Sequence, residues 1–306
     1  MKVLVATDKP FAKIAVDGIR KIVEGAGFEL ALLEKYTEKK QLLDAVVDVE
    51  AIIIRSDIID AEVLSAAKKL KIVVRAGAGY DNVDLAAATS NGVCVMNTPG
   101  QNANAVAELA LGMMVYGVRN FFNGTSGTEL FGKKLGIHAY GNVGRNVARI
   151  AKGFGMEIFA FDPFCPAEVI EKDGVKVLNS AEELYSTCQF VSLHIPATSE
   201  TKNAINYALL SNMPKGAMLI NTARKEVINE AELAKLMEDR ADFNYLSDVM
   251  PSNHAELSEK FATRYFSTPN KMGAQTAEAN INAGLAAANQ IVDFLKNGNE
   301  QFRVNK

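Results

Sequence analysis

The chain has 306 residues, of which 48% are hydrophobic and 23% charged, proportions that are typical of a globular protein. Its length favours two domains of ordinary size. The net charge of -3 excludes the basic footprint of proteins that bind nucleic acids or anionic membranes. No apolar run reaches the length of a membrane span, and the N-terminus starts a predicted strand without a signal peptide.

Cysteine and histidine usage points to a reducing compartment and away from metal chemistry. The cysteines, Cys94, Cys165 and Cys188, are far apart and odd in number, which predicts a cytoplasmic protein. The histidines do not cluster with cysteines or carboxylates at ligand spacing, so we expect no metal site.

The first third of the chain alternates apolar strands with helices. A strand at residues 3 to 6 precedes a helix at 10 to 26, with Phe11, Ile14, Ala15 and Ile22 on one face. Further β-branched runs predict parallel strands that are buried on both faces, at residues 51 to 54, 72 to 74 and 93 to 96. This alternation predicts a doubly wound parallel sheet.

The segment from 102 to 118 is almost wholly apolar, with Glu108 as its only charge. A helix that is apolar on all sides must be covered on all sides. We therefore expect it to link two domains and to lie in the interface of a homodimer.

Residues 135 to 162 predict a strand, a glycine turn, a helix and a second strand. Gly141 and Gly144 form the turn, and Asp162 ends the second strand. This is the layout of a dinucleotide site, where the helix N-terminus faces a pyrophosphate and an acidic residue about 20 positions on accepts the ribose hydroxyls. A carboxylate there repels a 2′-phosphate, so Asp162 favours NAD over NADP.

The glycine motif has one defect, because Ala139 occupies the position of its first glycine. An alanine fits there if its φ stays below zero. The alternative is a structural βα turn that binds no ligand.

Apolar strands that end in polar residues continue after this unit, at 190 to 194, 218 to 221 and 245 to 247. Ligands of open α/β sheets bind outside the carboxyl ends of the strands, so these ends should line one crevice. A last helix, 274 to 297, carries an apolar face that can pack back on the N-terminal domain, through Ile281, Leu285, Ala288, Val292 and Leu295.

Several strand-end motifs together carry a family resemblance. They read G-A-G-Y-D-N-V-D at 77 to 84, N-T-P-G at 97 to 100, V-A-E-L at 106 to 109, H-I-P-A-T-S-E-T at 194 to 201 and N-T-A-R at 221 to 224. In these the chain resembles the D-2-hydroxyacid dehydrogenase family over nearly its whole length. The resemblance implies a Rossmann NAD domain, 98–273, inserted in a flavodoxin-like substrate domain, 1–97 plus 274–306. It also implies NAD as cofactor, hydride transfer in the cleft and a homodimer.

Within that family, Arg55, Ser56 and Arg75 resemble the branch that oxidises D-3-phosphoglycerate to 3-phosphohydroxypyruvate in serine biosynthesis. The chain ends soon after the last helix, so we expect a short form without regulatory domains. The two arginines fit a clamp for a substrate phosphate. Ordinary salt-bridged arginines are the alternative.

A hydride donor and a 2-keto acid need an anchor for the carboxylate, a cation near the keto oxygen and a group that handles the proton. Ala76, Gly77 and Ala78 can offer backbone N–H groups as an anion nest. Arg224 can bind the carboxylate and polarise the reacting carbonyl. The alternative for Arg224 is a surface arginine that caps the next helix.

The expected cofactor contacts come from three strand ends. They are Tyr140, Gly141, Asn142, Val143 and Asp162, then Ile195, Pro196 and Thr201, and finally Thr222, Ala223 and Asp248. Asp248 is expected to accept from the carboxamide or to orient catalytic groups. His194 invites a catalytic role, but the resemblance implies a satisfied structural or cofactor-lining histidine.

The proton site departs from the family pattern of a histidine held by a glutamate. Aligning the final loop on Gly273 puts Lys271 at the histidine position, and Asn253 occupies the glutamate position. A lysine base needs a lowered pKa, which burial under the nicotinamide and proximity to Arg224 would provide. The alternatives are Lys271 as an anchor only, a slipped alignment with Asn270 in its place, or His254 as the base.

Other functions remain open on the same scaffold. A glyoxylate, hydroxypyruvate or erythronate-phosphate reductase would differ only in substrate contacts. An NAD-sensing protein that resembles the C-terminal-binding corepressors would use cofactor occupancy to set assembly rather than turnover. Arg55 and Arg75 disfavour the corepressor-like function, because a protein-docking groove would replace them in such a protein.

Overall fold

The computed structural model describes residues 1–305, and these residues divide into two compact units. The first unit comprises residues 1–102 and 276–305, and the second is the continuous segment 103–275. The boundaries expected from the sequence were 97/98 and 273/274. The observed boundaries, 102/103 and 275/276, lie a few residues after the expected ones.

The first unit alternates five strands with helices and ends in the longest helix of the chain. Its strands are β1 (Lys2–Thr7), β2 (Glu29–Glu34), β3 (Ala51–Ile54), β4 (Ile72–Arg75) and β5 (Cys94–Asn97). Its helices are α1 (Lys13–Gly25), α2 (Lys39–Ala45), α3 (Ala61–Ala66), α4 (Leu85–Ser90) and α12 (Ala277–Asn297).

The five strands form one parallel sheet in the order β2-β1-β3-β4-β5. This is the flavodoxin-like order, as expected. Strand β3 is fully buried because its β-branched residues pack against helices on both faces of the sheet. Parallel strands put their carboxyl ends at one edge, so Ile54 and Arg75 are register partners there.

The two helices whose bounds were predicted in this unit, at 10 to 26 and 274 to 297, are slightly shorter in the structure. Helix α1 begins at Lys13, and its buried face is Ala15, Ile19 and Val23. Ile14 is 66% exposed, so its expected place on the buried face was wrong. The helix starts three residues later than predicted, and the side chain of Ile14 lies just outside the apolar stripe. Helix α12 packs beside α1, where Leu285 lies against Gly18.

The second unit has seven strands. They are β6 (Lys134–His138), β7 (Glu157–Phe161), β8 (Lys176–Val177), β9 (Phe190–Leu193), β10 (Met218–Asn221), β11 (Asn244–Ser247) and β12 (Tyr265–Ser267). Its helices are α5 (Ala103–Val118), α6 (Asn142–Gly153), α7 (Ala167–Lys172), α8 (Ala181–Thr187), α9 (Tyr207–Ser211), α10 (Glu230–Asp239) and α11 (His254–Lys260), and single 3₁₀ turns lie at Asn120–Phe122 and Lys225–Val227.

These strands form a parallel sheet in the order β12-β11-β10-β9-β6-β7-β8. Read from β6, this is the Rossmann order with one added edge strand. Strand β6 pairs with both β7 and β9, so the direction of winding reverses at β6. Ligands of such sheets bind at this switch point, outside the carboxyl ends of the strands. The fold class predicted from the sequence is therefore confirmed.

Helix α5 is covered largely by its own chain. Nine of its 16 residues are buried, and it packs on α6, β10 and β11. Its most exposed positions include Asn104 and Glu108. The sheet and α6 cover much of the helix, while Leu109, Val115 and Tyr116 stay partly exposed. The expected place of this helix in a homodimer interface stays a prediction. Among residues 1–305, no helix is both long and apolar enough to cross a membrane.

Candidate functional site

The glycine turn lies between β6 and α6, at the switch point of the second sheet. Gly141 is the N-cap of α6, with φ of -80°. A Cβ on Gly141 would meet no atom within 4 Å, whereas a Cβ on Gly144 would overlap the carbonyl oxygen of Ala139. Gly144 thus permits close packing of the helix on the turn, and Gly141 leaves the helix N-terminus open. Both features fit a bound pyrophosphate.

Ala139 adopts a left-handed conformation, with φ of 78°. The condition for an unstrained alanine, a negative φ, is therefore not met. The chain must turn sharply from β6 into α6, and the turn requires a positive φ at this position whichever residue occupies it. An alanine there carries strain of about 1 to 2 kcal/mol that a glycine would not.

Asp162 follows β7 and holds the glycine turn in place. Its Oδ2 accepts from the backbone N of Tyr140 at 2.7 Å. Its Oδ1 accepts from the backbone N of Phe164 at 2.8 Å and of Cys165 at 3.2 Å. The carboxylate is partly exposed at the carboxyl end of the sheet, beside the turn. It lies where an acidic ribose acceptor belongs.

The other residues of the turn face in different directions. The Tyr140 side chain is buried, and its hydroxyl donates to Asp173 Oδ2 at 3.1 Å. Burial and the Asp173 carboxylate raise the pKa of this phenol. The Tyr140 side chain is therefore engaged within the protein, and its backbone N–H already donates to Asp162. Asn142 is exposed and Val143 is partly buried, both in the first turn of α6.

The loop after β9 begins at a histidine that the sequence treated as satisfied. His194 Nδ1 lies 3.5 Å from Thr222 Oγ1, while its Nε2 is buried without a hydrogen-bond partner among the described residues. Burial, with a smaller contribution from neighbouring His138, lowers the pKa of His194 to about 3. His194 is therefore a neutral ring whose Nε2 has no partner among the described residues, which favours the cofactor-lining role over the satisfied structural one.

The rest of this loop closes on itself. Thr201 Oγ1 donates to the carbonyl oxygen of Pro196 at 2.6 Å and accepts from Thr198 N at 2.8 Å. Ile195 is 7% exposed and Pro196 is exposed. Thr201 thus fixes the turn that follows Pro196, after the carboxyl end of β9.

Asn221, at the end of β10, shapes the turn that carries Arg224. Its Nδ2 donates to the Arg224 carbonyl at 3.0 Å, and its Oδ1 accepts from Ala223 N at 2.9 Å. Thr222 and Ala223 are buried, whereas Arg224 is partly exposed. The Arg224 Nη1 donates to the Ala223 carbonyl at 3.0 Å. The asparagine thus fixes the backbone from which the guanidinium projects.

Asp248 organises the loop that carries Lys271. It is 1% exposed, and its Oδ1 accepts from Thr268 Oγ1 at 2.9 Å and Met272 N at 2.7 Å. Its Oδ2 accepts from Gly273 N at 2.8 Å. A carboxylate with these three donors holds both ends of the segment 268–273.

Lys271 lies in the same neighbourhood as Arg224. Its Nζ donates to the Ala223 carbonyl at 3.4 Å, the same oxygen that Arg224 contacts. Lys271 is exposed, whereas Thr268 and Gly273 at the two ends of the loop are buried. The burial expected from the sequence was burial under the nicotinamide, and it stays a prediction.

His254 and Asn253 do not form a proton relay with each other. His254 Nδ1 lies 2.8 Å from the Tyr265 hydroxyl. Asn253 Nδ2 donates to the Glu230 carbonyl at 3.3 Å, and its Oδ1 is buried without a hydrogen-bond partner in residues 1–305. Both side chains therefore contact neighbouring helices and strands of the second unit.

The two arginines of the first unit lie at adjacent strand ends. Arg55 follows β3 and Arg75 ends β4, and Arg75 Nε donates to the Arg55 carbonyl at 3.0 Å. Ser56, beside Arg55, is exposed. The two arginines therefore lie at the same edge of the sheet, and the phosphate clamp stays a prediction.

The Gly77 turn lies directly against Arg75. Gly77 has φ of 150°, and a Cβ there would overlap the Arg75 guanidinium. Ala76 N donates to the Ile54 carbonyl at 2.8 Å, so Ala76 cannot lend its N–H to an anion and its expected role in the nest was wrong. That N–H is engaged in the sheet, because Ala76 continues the hydrogen bonding between β4 and β3. Among the described residues no acceptor takes the N–H of Gly77 or Ala78.

The sequence did not indicate the role of Asp57, which joins three loops beneath Arg55. It is 4% exposed and accepts from Asp8 N, Tyr36 Oη and Arg55 N at 2.8, 2.7 and 3.1 Å. Asn82 Nδ2 adds bonds to the carbonyls of Arg55 and Asp57, at 3.3 and 2.6 Å. A carboxylate two residues after Arg55 was the only local signal.

Comparison with known proteins decides the family. Residues 100–270 match the model of the D-isomer specific 2-hydroxyacid dehydrogenase NAD binding domain. The chain belongs to the D-isomer specific 2-hydroxyacid dehydrogenase family. Its cofactor is NAD, and the geometry at Gly141, Gly144 and Asp162 fits that cofactor.

Several members of this family are similar to the chain. A solved NAD⁺-bound 3-phosphoglycerate dehydrogenase of Entamoeba histolytica is 48% identical, covers 100% of this chain and 99% of its own, and has a TM-score of 0.88. The D-3-phosphoglycerate dehydrogenase of Methanocaldococcus jannaschii is 33% identical over 90% of this chain and 55% of its own length. The hydroxypyruvate reductase of Thermotoga maritima is 33% identical over 86% of this chain and 90% of its own length. The chain thus spans about half the length of the curated phosphoglycerate dehydrogenases that it matches.

Proposed function

We propose that this dehydrogenase oxidises D-3-phosphoglycerate to 3-phosphohydroxypyruvate with NAD, the oxidation expected for serine biosynthesis. The observation that carries the proposal is the arginine pair at the ends of β3 and β4, with Arg75 packed on Gly77. Two guanidinium groups suit a phosphate dianion, which an unphosphorylated hydroxy acid lacks. The similarity to 3-phosphoglycerate dehydrogenases supports the same substrate.

In the first unit, we assign the phosphate to Arg55, Ser56 and Arg75. The N–H groups of Gly77 and Ala78 would receive the substrate carboxylate as a small anion nest. Ala76 shapes this turn through its bond to Ile54 rather than by donating to the ligand.

In the second unit, the cofactor is assigned to the turn at Tyr140, Gly141, Asn142 and Val143, with Asp162 on the ribose. Ile195, Pro196 and Thr201 would border it, and Thr222, Ala223 and Asp248 would lie beside the nicotinamide. When bound, NAD supplies the acceptor for the hydride. The three donors already on Asp248 support its role in orienting the catalytic loop.

The proton and the reacting carbonyl are assigned to Lys271 and Arg224. Arg224 holds the carboxylate and stabilises negative charge on the C2 oxygen. Lys271 takes the proton from the C2 hydroxyl during oxidation and returns it during reduction. Their shared contact with the Ala223 carbonyl supports this pairing, since it places both cations beside one strand end.

We further propose a cytoplasmic homodimer. The three cysteines are free, which suits a reducing compartment. The second unit exposes large aromatic side chains, with Phe122 67% and Phe131 74% exposed, and such rings are common at interfaces. Light scattering at micromolar concentration should give twice the chain mass, and a monomer would contradict the proposal.

The decisive experiment is a panel of 2-hydroxy acids with NAD, followed by absorbance of the reduced nicotinamide. D-3-Phosphoglycerate should give the highest kcat/KM, ahead of D-glycerate, glycolate and D-lactate. The similarity to a hydroxypyruvate reductase favours D-glycerate as the second candidate. If the kcat/KM for D-glycerate exceeds that for D-3-phosphoglycerate, the chain would instead be assigned as a hydroxypyruvate reductase.

A further inference from the structure

Arg55 is held by groups from two segments that are distant in sequence. Its Nη1 donates to the carbonyls of Lys9 and Pro10, at 2.9 and 3.4 Å, in the loop after β1. Its Nη2 donates to Asn280 Oδ1 at 2.6 Å, in the first turns of α12. The guanidinium also lies 5.3 Å from the centre of the Phe11 ring. The side chain is therefore fixed before any ligand arrives.

These contacts leave Arg55 able to bind a ligand. A guanidinium has five N–H donors, and the three hydrogen bonds use three of them. The remaining two can face a phosphate. An arginine that is already ordered loses less rotamer entropy when it binds than a free surface arginine does.

The Asn280 amide can hold Arg55 in only one orientation. Its Nδ2 donates to the Thr276 carbonyl at 2.8 Å, one turn back along α12. Its Oδ1 must then point at the arginine, because a flipped amide would set N–H groups against N–H groups. Thr276 is itself the N-cap of α12 and accepts from Ala279 N at 3.1 Å, so the amide rests on a fixed helix end.

We propose that Asn280 is a positioning residue for substrate phosphate, which acts by holding the Arg55 guanidinium toward the ligand. The proposal rests on the proposed function, since it assigns the phosphate to Arg55. The start of α12 would then contribute to substrate selection, which neither the glycine turn nor the loop that carries Lys271 does.

The test compares Asn280→Ala with Asn289→Ala. Asn289 makes the same kind of bond, from its Nδ2 to the Leu285 carbonyl at 3.0 Å one turn back along α12, and it lies on the exposed side of the helix. Asn280→Ala should raise the KM for D-3-phosphoglycerate about tenfold, because displacement of a clamp residue weakens a bidentate contact. Its kcat, its Kd for NAD and its KM for D-glycerate should stay unchanged. Asn289→Ala should leave all four values unchanged, and urea midpoints of both variants control for folding.

A double-mutant cycle with Arg55→Ala isolates the mechanism. If Asn280 acts through Arg55, Asn280→Ala should add no further rise in KM once Arg55 is absent. A rise of the same size in the Arg55→Ala background, or an equal rise in KM for D-glycerate, would overturn the proposal. If Arg55→Ala alone leaves the KM for D-3-phosphoglycerate unchanged, the phosphate assignment fails first. That result differs from one in which Arg55 binds the phosphate but does not depend on Asn280.

Discussion

Lys271 and Arg224 donate to the same carbonyl oxygen, that of Ala223, at 3.4 and 3.0 Å. The two cationic side chains therefore approach one strand end, within reach of a single ligand. A lysine amine can release a proton, whereas an arginine guanidinium stays charged, so the proposed base is Lys271 and the proposed anchor is Arg224.

Replacing Lys271 by Met removes the amine and keeps the size of the side chain. We expect kcat to fall by ~10² to 10⁴ with the Kd for NAD unchanged. Lys271→Arg should restore substrate KM but not kcat, because a guanidinium anchors an anion and cannot serve as a base. Lys225→Met is the control, since Lys225 contacts Ser252 at 3.3 Å instead. Near-normal turnover in Lys271→Met would redirect the search to His254.

The arginine pair should determine phosphate recognition. Arg75→Ala or Arg55→Ala should weaken D-3-phosphoglycerate binding by about 2 to 4 kcal/mol, since charge-assisted contacts to phosphate are lost. The KM for D-glycerate and the Kd for NAD should change little. Steady-state kinetics with the two substrates measures both effects. If both variants kept the wild-type KM for D-3-phosphoglycerate, the substrate could be assigned only as an unspecified 2-hydroxy acid.

Asp162 should determine the choice of cofactor. A 2′-phosphate beside this carboxylate is repelled and loses solvent, so NAD should exceed NADP by roughly a hundredfold or more in kcat/KM. Asp162→Ser should lower the ratio of kcat/KM with NAD to kcat/KM with NADP, chiefly by weakening NAD binding. Comparable rates of the wild-type enzyme with both cofactors would show that the carboxylate does not contact the ribose.

The strained Ala139 offers a stabilising substitution. Ala139→Gly should raise the free energy of unfolding by about 0.5 to 1 kcal/mol, because the relief of left-handed strain exceeds the added freedom of the unfolded chain. Ala160→Gly, in neighbouring β7, is the matched control and should lower stability by roughly the same amount. Urea unfolding of both variants gives the answer. A loss of stability in Ala139→Gly would mean that its methyl group makes a contact worth more than the strain.

His138 should make stability depend on pH. Burial lowers its pKa from 6.5 to about 4, against the opposing effect of Asp162. Between those values the unfolded chain binds the proton and the folded chain does not, so stability falls as the pH drops below 6.5. From pH 7 to 5.5 this single group should cost about 1 kcal/mol. His138→Gln should show a smaller loss of urea midpoint over that interval than the wild type, and equal losses would assign the pH dependence elsewhere.

The sequence by itself determined most of the strands, their alternation with helices and the chemistry at their ends, whereas the edge strands β2, β8 and β12 were not predicted. Continuous apolar runs such as residues 51 to 54 favour central parallel strands, and polar residues at their carboxyl ends mark one edge of a sheet. The Gly141, Gly144 and Asp162 pattern predicted the dinucleotide turn because these residue types meet a local backbone requirement. All of these signals are short in range, so a single sequence contains them.

Only the tertiary structure decided which groups are free to act. Asn280 and Arg55 are 225 positions apart, and no local pattern pairs them. The N–H of Ala76 was lost to a neighbouring strand, Ala139 was forced to a positive φ by the turn around it, and Asp57 drew three loops together. A hydrogen bond or a backbone angle depends on every segment packed nearby, and that packing exists only once the chain has folded.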